Sequence, residues 1–278
     1  MPSVAVLIAV SVVAGFIGAM SGMGGGIVII PVLTLLGVDI KQAIAASIIS
    51  VIATSSGAAS AYVRDRITNL RVGMFLEMFT IVGAIVGATI TIVSGRAILF
   101  VVFGLVLLAS WGALFLERGT ERGTQERPRD RFTRSLDLRG TFYDAGERET
   151  IRYEGQRSWL GGPFMFVAGL TAGLLGIGAG ALKVVIFELI MRLPSKVSTT
   201  TSNLIIGVTA LAGTSVYLAA GLIDPALAAP IVLGILPGAL IGTRVLVRLT
   251  NRSVRLFFMV VLVVLGLEMI WRGLAGVG

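Results

Sequence analysis

The chain has no cysteine and no histidine among its 278 residues. Without them there are no disulfides, no thiolate or imidazole metal ligands, and no Cys/His or Ser/His catalytic pair. Charge is scarce as well: 14% of residues are Asp, Glu, Lys or Arg, against about 25% in a soluble domain. The residue types therefore point away from hydrolytic or redox enzymology, and no metal, cofactor or catalytic residue is expected. What fills the chain is apolar, with 55% hydrophobic residues and a mean hydropathy of +0.95. These values describe a polytopic membrane protein. The net charge of +8 does not signal nucleic acid, because most basic residues lie in short gaps between apolar runs, where they report orientation in the bilayer. The N-terminus lacks the basic stretch of a cleavable signal peptide, so the first apolar run is expected to stay in the fold.

The apolar run from Val4 to Val38 is interrupted by Ser21-Gly22-Met23-Gly24-Gly25-Gly26. Glycine costs about 1 kcal/mol relative to alanine inside a helix, and in lipid a freed backbone group has no water to bond. The run reads as two short helices meeting at a bend that is buried in protein or lines a wet cavity. The pattern returns as Gly176-Ile177-Gly178-Ala179-Gly180, inside the run Pro163 to Leu193. Two interrupted hydrophobic segments at corresponding places in two halves point to a transporter's binding site. Close packing through small residues is the alternative.

Apolar segments near 4–20, 27–38, 42–63, 70–94 and 97–116 precede a polar stretch, and segments near 163–175, 181–193, 198–219, 222–247 and 253–273 follow it. The longer ones suffice to cross a bilayer, and the short ones beside each glycine cluster read as a re-entrant or steeply bent pair. The halves match in sequence. At an offset of 154, Gly15, Gly22, Gly24 and Gly26 fall on Gly169, Gly176, Gly178 and Gly180; at 155, Lys41, Ser47, Thr54, Tyr62, Gly83 and Gly87 fall on Lys196, Ser202, Thr209, Tyr217, Gly238 and Gly242. Such self-similarity implies an internal duplication. If the chain turns back at each break, the halves are inverted; if the break lies within one crossing, they are parallel. With the polar stretch placed in the cytoplasm, the inverted arrangement puts nine of the other basic residues inside and three outside, and the parallel one puts four inside and eight outside. The positive-inside bias thus selects inverted repeats with both termini outside. The expected fold is all-α, with about 8–10 membrane helices as two inverted repeats that each open with a glycine-broken short helix pair. The expected division is a first repeat 1–116, a cytoplasmic linker 117–158 and a second repeat 159–278. The linker holds ten basic and nine acidic residues, the composition of a solvated connection or a partner-binding segment. Its part Ser135 to Tyr143 alternates weakly and could form a small hairpin.

Candidate site residues follow from the breaks. Gly24, Gly25 and Gly26 in the first, and Gly178, Ala179 and Gly180 in the second, would present backbone amides. Lys183 lies three residues beyond Gly180, far from either surface, and a cation at that depth usually faces a cavity or a partner. Together with helix N-termini it could form an anion site; a structural ion pair with Glu188 or Glu77 is the alternative. Ser47, Thr201, Ser202 and Asn203, on the next helix of each half, could complete hydrogen bonding to a small oxyanion, or cap and bond back to their own helices. Glu77 has no partner at helical spacing, since Gly73 and Ile81 flank it, so it is the candidate for proton coupling, with an inter-helix ion pair as the other reading.

Gly22-Met23-Gly24-Gly25-Gly26 with Pro31 five residues on, a second Gly-x-Gly-x-Gly near mid-chain, and a Thr/Ser pair opening the following helix resemble the sulfite exporter TauE/SafE family, also called the toluene sulfonate uptake permeases. The resemblance covers roughly 4–116 and 160–273. Within it, Ala179 stands where a glycine is usual, and Val185 where the first half has Pro31. The resemblance implies a secondary permease of a bacterial inner membrane carrying sulfite, a sulfonate or a related anion, with the glycine breaks and Ser47, Thr201, Ser202 and Asn203 along the path. The expected partners are a small anionic substrate, coupled to protons or another ion, and the lipid bilayer. An anion channel, or a membrane assembly or sensor protein acting through the linker, would share much of this sequence.

Overall fold

The computed structural model describes residues 2–21, 25–64, 68–116, 138–144, 149–246 and 251–276. The chain is built from ten helices and one hairpin among these residues: α1 (Val4–Ser21), α2 (Gly26–Leu35), α3 (Ile40–Arg64), α4 (Leu70–Val93), α5 (Arg96–Leu116), β1 (Arg139–Asp144), β2 (Glu149–Glu154), α6 (Ser158–Leu175), α7 (Gly180–Val185, continued by a wide turn Ile186–Ile190), α8 (Ser195–Ala219), α9 (Pro225–Leu246) and α10 (Asn251–Ala275). The fold is all-α. Leu70–Val93, Ser158–Leu175, Val197–Ala219 and Pro225–Gly242 are long and apolar enough to cross a membrane. Their outer faces, for example Met74 and Met78 of α4, carry large exposed apolar side chains, as a surface solvated by lipid should.

Helix packing exchanges the two halves. α1 packs on α9, and α6 on α4, while α3 meets α8 and α5 meets α10. The first two contacts are built from the same residues. Gly15 lies against the Ile235 carbonyl and Gly169 against the Thr80 carbonyl; Gly238 lies against the Val12 carbonyl and Gly83 against that of Phe166. Each residue of one pair is carried onto the other pair by the offsets of 154 and 155. No side chain separates the backbones at these points, the small-residue packing that stands in for hydrophobic association in lipid.

Register fixes the relative direction. Along α3 and α8, Ile48 lies by Gly213 and Ser55 by Gly207; along α5 and α10, Gly104 lies by Ile270 and Ala97 by Gly273. Numbers rise on one helix as they fall on the other, so corresponding helices are antiparallel. A two-fold axis perpendicular to the helices relates them, and the repeats are inverted. The second break also turns the chain back. Thr80 and Ala84 of α4 meet Gly169 and Gly173 of α6 in rising order, and Asn69 and Glu77 of α4 bond Thr201 and Thr209 of α8 in rising order. α6 and α8 therefore run the same way, and residues 176–194 return the chain between them. The first break, Gly22 to Gly24, lies outside the described residues.

Local boundaries follow side-chain chemistry. Asn69 caps α4 by accepting from the Val72 amide at 3.1 Å, and Asp224, its match at offset 155, accepts from the Ala226 amide at 2.8 Å ahead of α9. Both satisfy an N–H that the helix start leaves free. α6 begins at Ser158, five residues before the expected start, with Pro163 inside the helix. In the linker, the alternating stretch near Tyr143 supplies only β1. Its antiparallel partner is β2, with Gly140 opposite Tyr153 and Phe142 opposite Ile151. The expectation of a hairpin within 135–143 is corrected accordingly: Thr150-Ile151-Arg152-Tyr153 is itself β-branched and alternating, and it is the better strand former.

Candidate functional site

The second break is a run of left-handed backbone. Gly176, Gly178 and Ala179 have φ of 64°, 72° and 48°. Gly176 closes α6 with its amide bonded to the Ala172 carbonyl at 2.8 Å, the usual use of a left-handed residue at a helix end. Ala179 holds the same conformation with a side chain, at a cost of about 1–2 kcal/mol.

The first half meets this turn at Gly26. A β-carbon there would collide with Ser47 Oγ and the Gly176 carbonyl, with Ile177 Cα at 3.3 Å. Ser47 Oγ donates to the Gly176 carbonyl at 3.0 Å, and Ser202 Oγ to that of Gly180 at 3.3 Å. Thus Gly25, Gly26, Ser47, Gly178, Ala179, Gly180 and Ser202 are gathered where the halves join, while Gly24 lies outside the described residues. A small cavity of about 10 Å³ opens beside the turn, lined by Ile27, Val106, Ser110, Ile177, Ala179, Gly180 and Leu182. Its side chains are apolar except for Ser110.

Polar side chains converge one helical turn further on. Lys183, 0% exposed, donates from Nζ to Thr209 Oγ1 at 2.6 Å and reaches the Ile205 carbonyl at 3.5 Å. Thr209 Oγ1 donates to Glu77 Oε1 at 2.8 Å, and Thr80 Oγ1 to Glu77 Oε2 at 2.6 Å. Glu77 is 2% exposed, and it and Lys183 are the buried charges among the described residues. The ammonium and carboxylate are thus linked through one hydroxyl. The expectation that Glu77 has no partner at helical spacing is corrected by Thr80. A threonine three residues on lies on the same helix face, a signal present in the sequence beside the apolar Gly73 and Ile81.

The remaining candidates lie apart. Thr201 Oγ1 accepts from the Asn69 amide at 3.1 Å, at the end of the molecule where the hairpin docks. Asn203 is half-buried on α8. At the hairpin end, Asn69 Nδ2 donates to Tyr153 OH at 3.1 Å, Leu138 and Met191 are buried, and the Gln156 amide donates to the Met191 carbonyl at 2.9 Å. Burial pushes the Tyr153 phenol above its ordinary value, and the Asn69 amide partly offsets this.

Sequence reasoning missed Thr209 and Thr80. Thr209 entered only as a repeat match to Thr54, because a threonine in mid-helix ordinarily bonds back to its own turn. Nothing along α8 itself announces that Glu77 and Lys183 come from either side.

The family model of the sulfite exporter TauE/SafE matches residues 7–269, a span that includes both breaks, Glu77, Lys183 and Thr209. A Bacillus subtilis (strain 168) protein named "Probable membrane transporter protein YunE" is 26% identical over 280 residues, 98% of this chain and 99% of the relative. No solved structure matches the chain at a significant level. With inverted helical halves and a family match over nearly its whole length, the chain belongs to the sulfite exporter TauE/SafE family and is a multi-pass membrane transporter.

Proposed function

We propose that the protein is a secondary permease that moves a small anion, sulfite or an organosulfonate, across the bacterial inner membrane by alternating access. The repeats 1–116 and 159–278 are the units that rock against each other, with the linker 117–158 in the cytoplasm and the termini outside. Lys183 holds the anion, with Thr209 beside it, and Ser47 and Ser202 position the turn rather than touch the cargo. Gly25, Gly26, Gly178, Ala179 and Gly180 let the backbones approach there.

The observation that carries this reading is the Lys183 ammonium, fully buried between helices of both halves with a hydroxyl as its short-range partner. A cation in that position is costly and marks an ion or substrate path. Its surroundings support an anion, and the family supports sulfite or a sulfonate as the cargo class. Uptake of labelled sulfite, sulfoacetate and sulfate into proteoliposomes tests it. Saturable flux with counterflow is expected from the wild type, and its loss in Lys183→Ala. Normal flux in Lys183→Ala would remove the lysine from the site.

A further inference from the structure

Three features of the Lys183 cluster bear on what must accompany the anion, an inference that rests on the anion reading above. The first is an unfilled donor. An ammonium carries three N–H bonds, and among the described residues Lys183 has Thr209 Oγ1 at 2.6 Å and the Ile205 carbonyl at 3.5 Å, the latter at the outer limit of a hydrogen bond. The second is a hydroxyl with one proton and two close acceptors, besides Thr80 Oγ1 at 3.4 Å. Thr209 Oγ1 lies 2.8 Å from Glu77 Oε1 and 2.7 Å from the Ile205 carbonyl, and it donates to one at a time.

The third is charge. The site holds one positive and one negative group, and no other buried charge lies among the described residues. Of the elements around Glu77, α6 carries no ionisable residue, α8 carries Lys196 near its start and Tyr217 near its end, and the return segment carries Lys183, Glu188 and Arg192; on α4 itself Arg71 lies near the start. Lys183 is the one of these whose charge acts on Glu77. A monoanion entering beside Lys183 would leave the cluster at net −1, and uncompensated charge in a low-dielectric interior is expensive. One proton from water, converting the Glu77 carboxylate to the acid, restores a net charge of zero. The proton leaves as the anion leaves. A dianion would stay uncompensated by one charge even then.

We propose that Glu77 takes up one proton each time Lys183 binds one anion, that the Thr209 hydroxyl turns from the Glu77 carboxylate to the Ile205 carbonyl as it does so, and that the site thereby selects sulfur monoanions over dianions.

Calorimetry on the full chain in lipid nanodiscs tests this, with methanesulfonate as the monoanion and sulfate as the dianion, in buffers of different ionisation enthalpy across a pH series. The expected result is uptake of about one proton per methanesulfonate, affinity falling about tenfold per pH unit on the alkaline side, and weaker binding of sulfate. Glu77→Gln is expected to bind methanesulfonate with no proton uptake and no pH slope. Methanesulfonate binding without proton uptake by the wild type, a pH slope retained in Glu77→Gln, or sulfate bound as tightly as methanesulfonate overturns the inference while leaving the anion reading intact. Binding of neither anion overturns both. Should Glu77→Gln fail to fold, the wild-type proton count decides alone.

Discussion

The two halves share a scaffold and differ in their chemistry. At the helix crossings the match is residue for residue: Gly15 on Ile235 repeats as Gly169 on Thr80. At the charged cluster it fails. The positions in the first half that correspond to Lys183 are Val28 or Ile29, and Glu77 and Thr80 correspond to Val232 and Ile235. Among the described residues Thr54, the match of Thr209, bonds back to its own helix, at Ser50 and Val51. The hairpin repeats the lesson, since Asn69 and Asp224 both cap a helix but only Asn69 also holds Tyr153. Duplication preserves what packing requires, because a glycine at a backbone crossing has no substitute. One buried charge pair lies where both halves meet, and a second would add desolvation cost.

Removing the asymmetry should have the largest effect. Glu77→Leu strands the buried Lys183 ammonium and should cost about 3–5 kcal/mol, read from unfolding in detergent. Glu77→Leu with Lys183→Leu makes both positions apolar, like their repeat equivalents Val232 and Val28 or Ile29, and should regain most of that stability while abolishing transport. If the double variant is as unstable as the single one, the charges are not coupled.

The symmetric contacts come next. Gly15→Leu and Gly169→Leu each push a side chain into a facing backbone, and each should lose about 1–3 kcal/mol by overpacking. Equal falls in melting temperature sharpen the equivalence of the two crossings, and a lopsided result breaks it. At the helix starts, Asn69→Ala and Asp224→Ala should each cost about 1 kcal/mol of capping. Only Asn69→Ala should also speed protease cleavage of the hairpin.

Smaller still, Ala179→Gly removes a side chain from left-handed backbone and should stabilise by about 1 kcal/mol, seen as a rise in melting temperature. Last is the hairpin's response to alkali. Burial raises the Tyr153 phenol above its ordinary value of 10.0. A folded-state value above the unfolded one means that docking is at full strength below the unfolded value and weakens as pH rises through the folded one. Phenolate absorbance at high pH should include a late step that Tyr153→Phe removes, and that step should coincide with release of the hairpin.

The membrane class, the two breaks and the duplication were legible because each is a pattern along the chain: apolar runs, glycines where a helix cannot continue, and a constant offset between matches. The inverted relation was legible from loop charge alone and agrees with the antiparallel registers of α3 with α8 and α5 with α10. Of the candidate site, Lys183 and Glu77 stood out because charge in an apolar run is rare. Thr201 carried the same polar signal as Ser202, yet the hundred-degree step between neighbours on a helix aims one at Asn69 and the other at Gly180.

Composition and periodicity by themselves thus determined that the chain spans lipid, in two related halves each interrupted at glycine, because solvation by lipid and helix propensity act on local sequence. Only the tertiary structure decided that α4, α7 and α8 bring Glu77, Lys183 and Thr209 together. That meeting depends on which helix faces cross and in what register, and both are set by contacts between residues far apart in the chain, 26 positions for Lys183 with Thr209 and 132 for Thr209 with Glu77.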